Sequence, residues 1–347
     1  MTTVVDAPPE AEADAEADAD PVTVESDSAP SRRADRSARP PKPPKLPRIP
    51  RPPKRLPRSM LPAVPLTARQ LLLRSISAML AAVLLCFVFN VLVLSHLQHL
   101  VAQQQLTDTF RLELAQAVAP VSEGTVDDVL VADGAPVALI NIPSIGVHEV
   151  IVEGTSSGTL QAGPGHRRDT VLPGQAGVSV VMGRASAYGG PFSRIDELAP
   201  GETFEVTTGQ GEQVFEVIGL RYAGEPAPAS PTNGQSRLIL ETARGASYIP
   251  TGVARVDAQL VGPAQQAGRR QTTAVSLPPS NTSMATDTST IWALAFALQF
   301  LIVVELAAVW SFGRFGPQRT WILGVPLVLL AGLLAADQIT RLLPNLL

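Results

Sequence analysis

GVSVVMGRASAYGGPFSRIDEL occupies residues 177–198. Its opening run, Gly177 to Met182, is β-branched and apolar without helical spacing, and it is cut by Gly183 and then by Gly189-Gly190-Pro191. A short strand closed by a glycine-rich turn is the simplest reading. The same pattern continues outward on both sides, in PVALINI (136–142) and EVIVE (149–153) before it, and in TFEVTT (203–208), QVFEVIGLRY (213–222), SRLILET (236–242) and ARVDAQLV (254–261) after it. Seven such runs over roughly 130 residues predict a small β-barrel or sandwich. Strand alternation and turn punctuation favour a closed, mostly antiparallel barrel over residues 136–262.

The flanks have a different character. Ile76 to Leu94, ISAMLAAVLLCFVFNVLVL, carries no charge over 19 residues, enough helix to cross a hydrocarbon core of about 30 Å. It starts too deep in the chain for a cleaved signal peptide. Ile291 to Phe312 and Trp321 to Ala336 are two further apolar runs, the latter with Gly324 and Pro326, which membrane helices tolerate. The chain therefore divides into a tail (1–74), a first transmembrane helix (75–96), a helical stalk and linker (97–135), the barrel (136–262), a polar linker (263–289), a second transmembrane helix (290–312), a short loop (313–320) and a third transmembrane helix (321–341). The tail is acidic from Asp6 to Asp27 and basic and proline-rich from Arg32 to Arg58, a composition expected to stay disordered. Its basic half reads as a solvated segment, with anionic membrane lipid or a protein partner as the alternative. The positive-inside rule puts this tail in the cytoplasm, together with the loop holding Arg314 and Arg319. Three crossings then expose the stalk, barrel and linker outside the cell, with RLLPNLL (341–347) emerging on that side.

Composition narrows the function. Hydrophobic residues make up 45% and charged residues 17%, and mean hydropathy is +0.18, a membrane-protein balance. The net charge of −4 provides no basic excess for nucleic acid. Cys86, the single cysteine, lies inside the first apolar run, which excludes an intrachain disulfide and an exposed thiol nucleophile. The histidines, His96, His99, His148 and His166, form no metal-ligand pattern, and neither a metal nor a cofactor is expected.

The barrel region resembles a sortase, the membrane-anchored cysteine transpeptidases of Gram-positive bacteria, and in particular the actinobacterial class D and E type. The resemblance runs from about Val137 to Val261. It is carried by Ile142-Pro143-Ser144-Ile145-Gly146-Val147, by VEGT at 152–155, by GPGH at 163–166 with Leu172-Pro173-Gly174, and above all by YGGPF at 188–192 followed by IDEL. It implies a sortase-like closed β-barrel ectodomain, mostly β, beside the three transmembrane α-helices. It also implies a thiolate nucleophile, a histidine acid and an arginine that steadies the oxyanion. At the histidine position, in Met182-Gly183-Arg184-Ala185, stands Arg184; at the cysteine position, after Leu238-Ile239-Leu240-Glu241-Thr242, stands Ala243. Arg255 keeps the arginine position, with Arg244 as a second candidate.

A methyl group forms no acyl-enzyme, and a guanidinium shuttles no proton near neutral pH. Cys86 is buried on the order of 15 Å below the outer surface and is no substitute. The expectation is a pseudoenzyme that binds or scaffolds an active sortase, LPxTG-like proteins or other envelope proteins, with Arg184, Thr242 and Arg255 as binding residues. The alternative is a peptidase or transpeptidase with a hydroxyl nucleophile, Thr242, Ser247, Ser186 or Ser179, although His148 and His166 lie away from that cleft by the family layout. His166 is expected to fasten a loop, Arg184 or Arg255 to pair with an acid such as Glu241, and Asp337 with Arg341. Glu305 inside the second span either faces a helix bundle or partner or snorkels toward the interface.

Overall fold

The computed structural model describes residues 67–124 and 129–347. The acidic and basic stretches of the tail lie outside the described residues. Eight strands among the described residues close into one barrel: β1 (Pro136–Ile142), β2 (Val147–Glu153), β3 (Gly165–His166), β4 (Gly177–Met182), β5 (Thr203–Thr208), β6 (Gly211–Tyr222), β7 (Ser236–Ala246) and β8 (Ile249–Leu260). Their order around the barrel is β1-β2-β3-β4-β7-β8-β6-β5. Pairing is antiparallel except for β2 with β3 and β4 with β7. The eighth strand is the two-residue β3, from the GPGH run read as a loop.

Alternation along the strands builds the interior. Ile140, Ile142, Val181, Leu238, Leu240, Val256 and Ala258 belong to one buried cluster, and Phe204 stacks on Phe215 at 5.8 Å. Residues of the other parity, Val180, Met182, Ala243 and Val253 among them, form a second apolar cluster on the outer face of β4, β7 and β8.

Three helices among the described residues are long and apolar enough to cross a membrane, within Ile76–Ala115, Thr288–Phe315 and Thr320–Arg341. The first is continuous: α1 (Ala68–Phe89) passes through a π-helical stretch, Asn90–Leu94, into α2 (Ser95–Ala115). Thr67 and Gln70 start it with a capping box. The expected stalk does not stand away from the barrel. His99 Nε2 lies 3.0 Å from Glu149 Oε1, and Phe110 is buried with Val150. Gln103 accepts from Val150 N at 2.7 Å and donates to Val150 O at 3.1 Å and Ala162 O at 2.8 Å. Its amide thus serves as a strand partner along the edge of β2 that the short β3 leaves uncovered, and so removes the cost of unpaired backbone groups.

The loop expected at 313–320 shrinks to one residue. α3 (Ile291–Phe315) and α4 (Pro317–Arg341) are separated by Gly316 alone, whose φ of 82° reverses the chain. Pro317 then occupies the first turn of α4, where a missing N–H costs nothing. α4 also packs closely on α1, and a Cβ on Gly332 would lie 2.7 Å from Cys86 Sγ. Glu305 is half-buried beside Leu301 and Val304, which face Ala331 of α4. Asp337 and Arg341 pair at 3.2 Å.

The linker at 263–289 is pinned to the barrel rather than free. Gln265 bridges to Gly174 and Ala176 through backbone hydrogen bonds. Glu123 accepts from the backbone of Gln271 and Thr272 and from the Thr272 hydroxyl. Burial alone raises the Glu123 pKa, but these hydrogen bonds outweigh it and hold the carboxyl below its usual range. Asn281 takes the Thr155 N–H at 2.8 Å and the Thr155 hydroxyl at 2.7 Å.

Candidate functional site

The site is built where β4 and β7 run parallel. Register places Met182 beside Glu241 and, on β8, Val253 beside Ala243 and Arg255 beside Glu241. Strand parity therefore sends Ala243, Glu241, Met182 and Arg255 to the outer face. The chain leaves β4 through Gly183, whose Cβ would meet the Phe192 ring at 2.4 Å, so only glycine allows that ring to close over the strand end. Tyr188, Gly189 and Gly190 follow with φ of 52°, 80° and 52°. A Cβ on Gly189 would strike the His99 ring at 2.7 Å, which sets this loop beneath α2.

Arg184 is wholly buried, at 0% exposure. Its Nε donates to Leu160 O at 3.2 Å, Nη1 to the main-chain oxygen of Leu347 at 2.9 Å, and Nη2 to Ser157 O at 2.7 Å and Ser157 Oγ at 3.0 Å. The guanidinium also lies 5.0 Å from the Tyr188 ring centroid. Burial pushes its pKa down to about 10, which still leaves it charged at neutral pH. Its partners are main-chain oxygens and a hydroxyl, where an acidic side chain was expected. Arg255 is the arginine that pairs with one, donating to Glu241 Oε2 at 2.9 Å.

The face carrying Ala243 is covered by residues 342–347. Leu346 and Leu347 are buried, at 0% and 5% exposure, in one cluster with Leu160, Val180, Met182, Ala243 and Val253. Ala185 N donates to Leu346 O at 2.9 Å, and Ser157 Oγ to Leu343 O at 3.2 Å. Asn345 donates from Nδ2 to Thr155 O at 2.8 Å and Thr282 O at 2.9 Å, and from its backbone to Ala285 O. Thr340, at the end of α4, meets the Tyr188 hydroxyl at 3.1 Å. The segment expected to emerge beyond the third transmembrane helix is thus folded into the cleft. Beyond it the same face opens into a cavity of about 600 Å³ walled by Arg167, Thr170, Val180, Ile239, Glu241 and Arg255.

Residues 140–252 match the family model described as the sortase domain. This barrel is a sortase domain. Sortase D of Bacillus subtilis (strain 168) is 28% identical over 118 residues, 33% of this chain and 58% of that protein, so the chain spans less than two thirds of that relative's length. Among solved structures, a Clostridium perfringens sortase D5 transpeptidase aligns at 21% identity and TM-score 0.37, covering 48% of this chain and 99% of its own. Sortase E1 from Streptomyces coelicolor, solved with a tripeptide in its active site, aligns at 25% identity and TM-score 0.34, covering 38% of this chain and 92% of its own.

Within the sortase domain the structure separates the residues singled out from the sequence. Arg184 and Ala243 share the covered face, with Arg255 two residues along β8 from Val253, the partner of Ala243. Thr242 does not join them. It shares the parity of Leu238 and Leu240, and its hydroxyl donates to Gly183 O at 2.8 Å, so it closes a strand end instead of lining the cleft. Arg244 lies on the β7–β8 hairpin over the Tyr222 ring at 3.9 Å. Ser186 Oγ accepts from Tyr248 N at 3.3 Å, Ser179 is buried with the parity of Val181, and Ser247 is exposed.

His166 fastens a loop. Its Nδ1 is 2.9 Å from Glu153 Oε2 and its Nε2 2.9 Å from Val171 O. Thr170 Oγ1 lies 3.2 Å from Nε2, but it donates to Arg167 O at 2.7 Å and accepts from Val180 N. Both ring nitrogens face acceptors and the hydroxyl is already committed, so no base is poised to activate it. His148 lies at the surface beside Asn141. Among the described residues no group of His, Cys, Asp and Glu is placed to hold a metal. Sequence reasoning missed Ser157, Leu160, Asn345, Leu346 and Leu347; the available signal was an apolar pair, Leu346-Leu347, following a polar residue beyond the end of the last helix.

Proposed function

We propose that this chain is a membrane-anchored sortase-family protein that holds peptide without cutting it, a pseudoenzyme scaffold for envelope proteins. The observation that carries the reading is the chemistry of the covered face: a methyl group, Ala243, where acyl transfer needs a thiolate, beside an Arg184 whose donors are spent on carbonyls. No atom there forms an acyl bond or protonates a leaving amine. The hydroxyl alternative loses support from the same geometry, since the Thr242 hydroxyl is spent on Gly183 O, Ser186 holds the Tyr248 N–H, and the Thr170 hydroxyl beside His166 already donates to Arg167 O.

On this reading the barrel faces outward, the tail before α1 is cytoplasmic, and the setting is a Gram-positive, actinobacterial-type envelope. Partners are an active sortase or proteins with LPxTG-like sorting signals, and Leu343-Pro344 of the covering segment begins as such signals do. The test uses the full chain in lipid nanodiscs with a fluorogenic LPxTG-like peptide. No cleavage above buffer is expected. Turnover that Ser247→Ala or Thr242→Val abolishes would replace the scaffold with a hydroxyl enzyme.

A further inference from the structure

We propose that the outer face of β4, β7 and β8 is a binding site for a short peptide of the type Asn-aliphatic-aliphatic, and that residues 342–347 are its ligand supplied in cis. This names the ligand of the peptide-holding cleft and rests on that reading. Each element of the ligand has a fitted receptor. The two large aliphatic side chains fill a pocket floored by Ala243 and walled by Leu160, Met182 and Val253. The asparagine amide is received by two carbonyls, Thr155 O and Thr282 O, one from the barrel and one from the pinned linker. The main chain is received at three successive points: Leu343 O by Ser157, Leu346 O by Ala185 N, and Leu347 O by Arg184.

Arg184 has its place in this site. Its forked donors span a main-chain oxygen of the ligand and two carbonyls of the receptor, a task for a planar guanidinium and not for an imidazole. Ala243 fits for the complementary reason, since a bulky side chain there would enter space that the cluster of Leu346 and Leu347 fills. The ligand is tethered directly to the end of α4 at Arg341, so its effective concentration at the site is in the millimolar range or above. A partner presenting the same chemistry must therefore displace it, and the site stays closed until it does.

The experiment labels the floor of the pocket. In a Cys86→Ala background, Ala243→Cys is placed in the full chain, reconstituted in nanodiscs and exposed to a bulky, membrane-impermeant maleimide. Labelling should be slow with the segment intact, at least tenfold faster when 342–347 are deleted or when Leu346→Asp and Leu347→Asp are combined, and intermediate in Asn345→Ala, which keeps the apolar pair. A synthetic RLLPNLL peptide should restore protection to the deleted chain, and the same peptide with aspartate at its last two positions should not. Equal labelling rates in all forms, with barrel circular dichroism unchanged, would overturn the proposal while leaving the absence of cleavage untouched. Acceleration without protection by added peptide would overturn the binding site and leave only a structural plug. Cleavage of RLLPNLL by the unaltered chain would overturn the scaffold reading, with the protection of position 243 still standing.

Discussion

Replacing Arg184 by methionine preserves an apolar, unbranched side chain in the same space and removes every donor. Three buried main-chain oxygens, those of Ser157, Leu160 and Leu347, lose the guanidinium that pairs with them. An orphaned buried acceptor costs about 1 kcal/mol or more, so the sum is roughly 3 kcal/mol. Removing a desolvated cation returns part of this. The loss prevails here because methionine supplies no replacement donor and Leu346 and Leu347 keep water out. Water reaches the carbonyls only when residues 342–347 lift, and the cost therefore appears as release of that segment before it appears as unfolding of the barrel. About 3 kcal/mol corresponds to a shift of roughly 100-fold in that opening equilibrium. The Ala185 amide, which donates to Leu346 O, reports it directly: its hydrogen-exchange protection should fall by about that factor, while amides of β7 that pair with β8 keep theirs. Arg184→Lys separates charge from geometry, since an ammonium donates from a single point, and it should rescue protection by no more than about tenfold, one hydrogen bond's worth. Unchanged protection in Arg184→Met, or full rescue by lysine, would refute the carbonyl accounting.

The Glu123 carboxyl has its pKa lowered in the folded chain, so the unfolded chain binds more protons between the two values. Its clamp on Gln271 and Thr272 is then fully present above the ordinary carboxylate pKa of about 4.3 and is lost as pH falls through the folded value; proteolysis near residue 271 should rise on acidification, and Glu123→Gln should flatten that rise. Gln103→Ala leaves the Val150 N–H, the Val150 carbonyl and the Ala162 carbonyl without their partner, and should lower barrel stability by about 2–3 kcal/mol, read as an earlier thermal transition in circular dichroism. A reporter fused at Met1 is expected on the cytoplasmic side and one inserted at Gln271 outside, in a topology assay with an impermeant probe; the reverse at Gln271 would put the barrel inside the cell.

The strands were legible because a barrel wall with a buried inner face imposes period two, and runs such as TFEVTT and SRLILET carry it openly. The two-residue β3 was not, since Gly165-His166 has too few residues to show any period. The α3–α4 junction was misjudged for a related reason: Gly316-Pro317 looks like a loop, yet the same pair lets one residue reverse the chain and lets the next helix begin at once. At the site, Arg184 and Ala243 stand out because, on the proposed reading, each stands where the family resemblance implies a group with defined chemistry. Their surroundings were hidden, because the partners of Arg184 are carbonyls at residues 157, 160 and 347, and a carbonyl leaves no mark on the sequence. Asn281 and Asn345 each anchor a segment through one polar side chain, which no periodicity announces.

On the proposed reading, the covering segment also makes physical sense of why the two departures from the family pattern occur together. A thiol at position 243 would sit under Leu346 and Leu347, where an apolar cover opposes ionisation and so removes the thiolate that acyl transfer needs. A histidine at position 184 would meet three main-chain oxygens with at most two ring donors, leaving at least one buried acceptor unpaired. Alanine and arginine are the pair that the closed cleft accommodates: the first yields space to the aliphatic residues, and the second supplies donors in the directions in which the carbonyls point. It follows that restoring chemistry requires more than restoring side chains. Ala243→Cys with Arg184→His should cleave an LPxTG-like peptide slowly at most while residues 342–347 are present, since losing Arg184 loosens that segment without removing it. Deleting the segment from the double variant should raise the rate further if the remaining groove still binds sorting signals. Equal cleavage with and without the segment would mean that the cover is not what keeps substrate out.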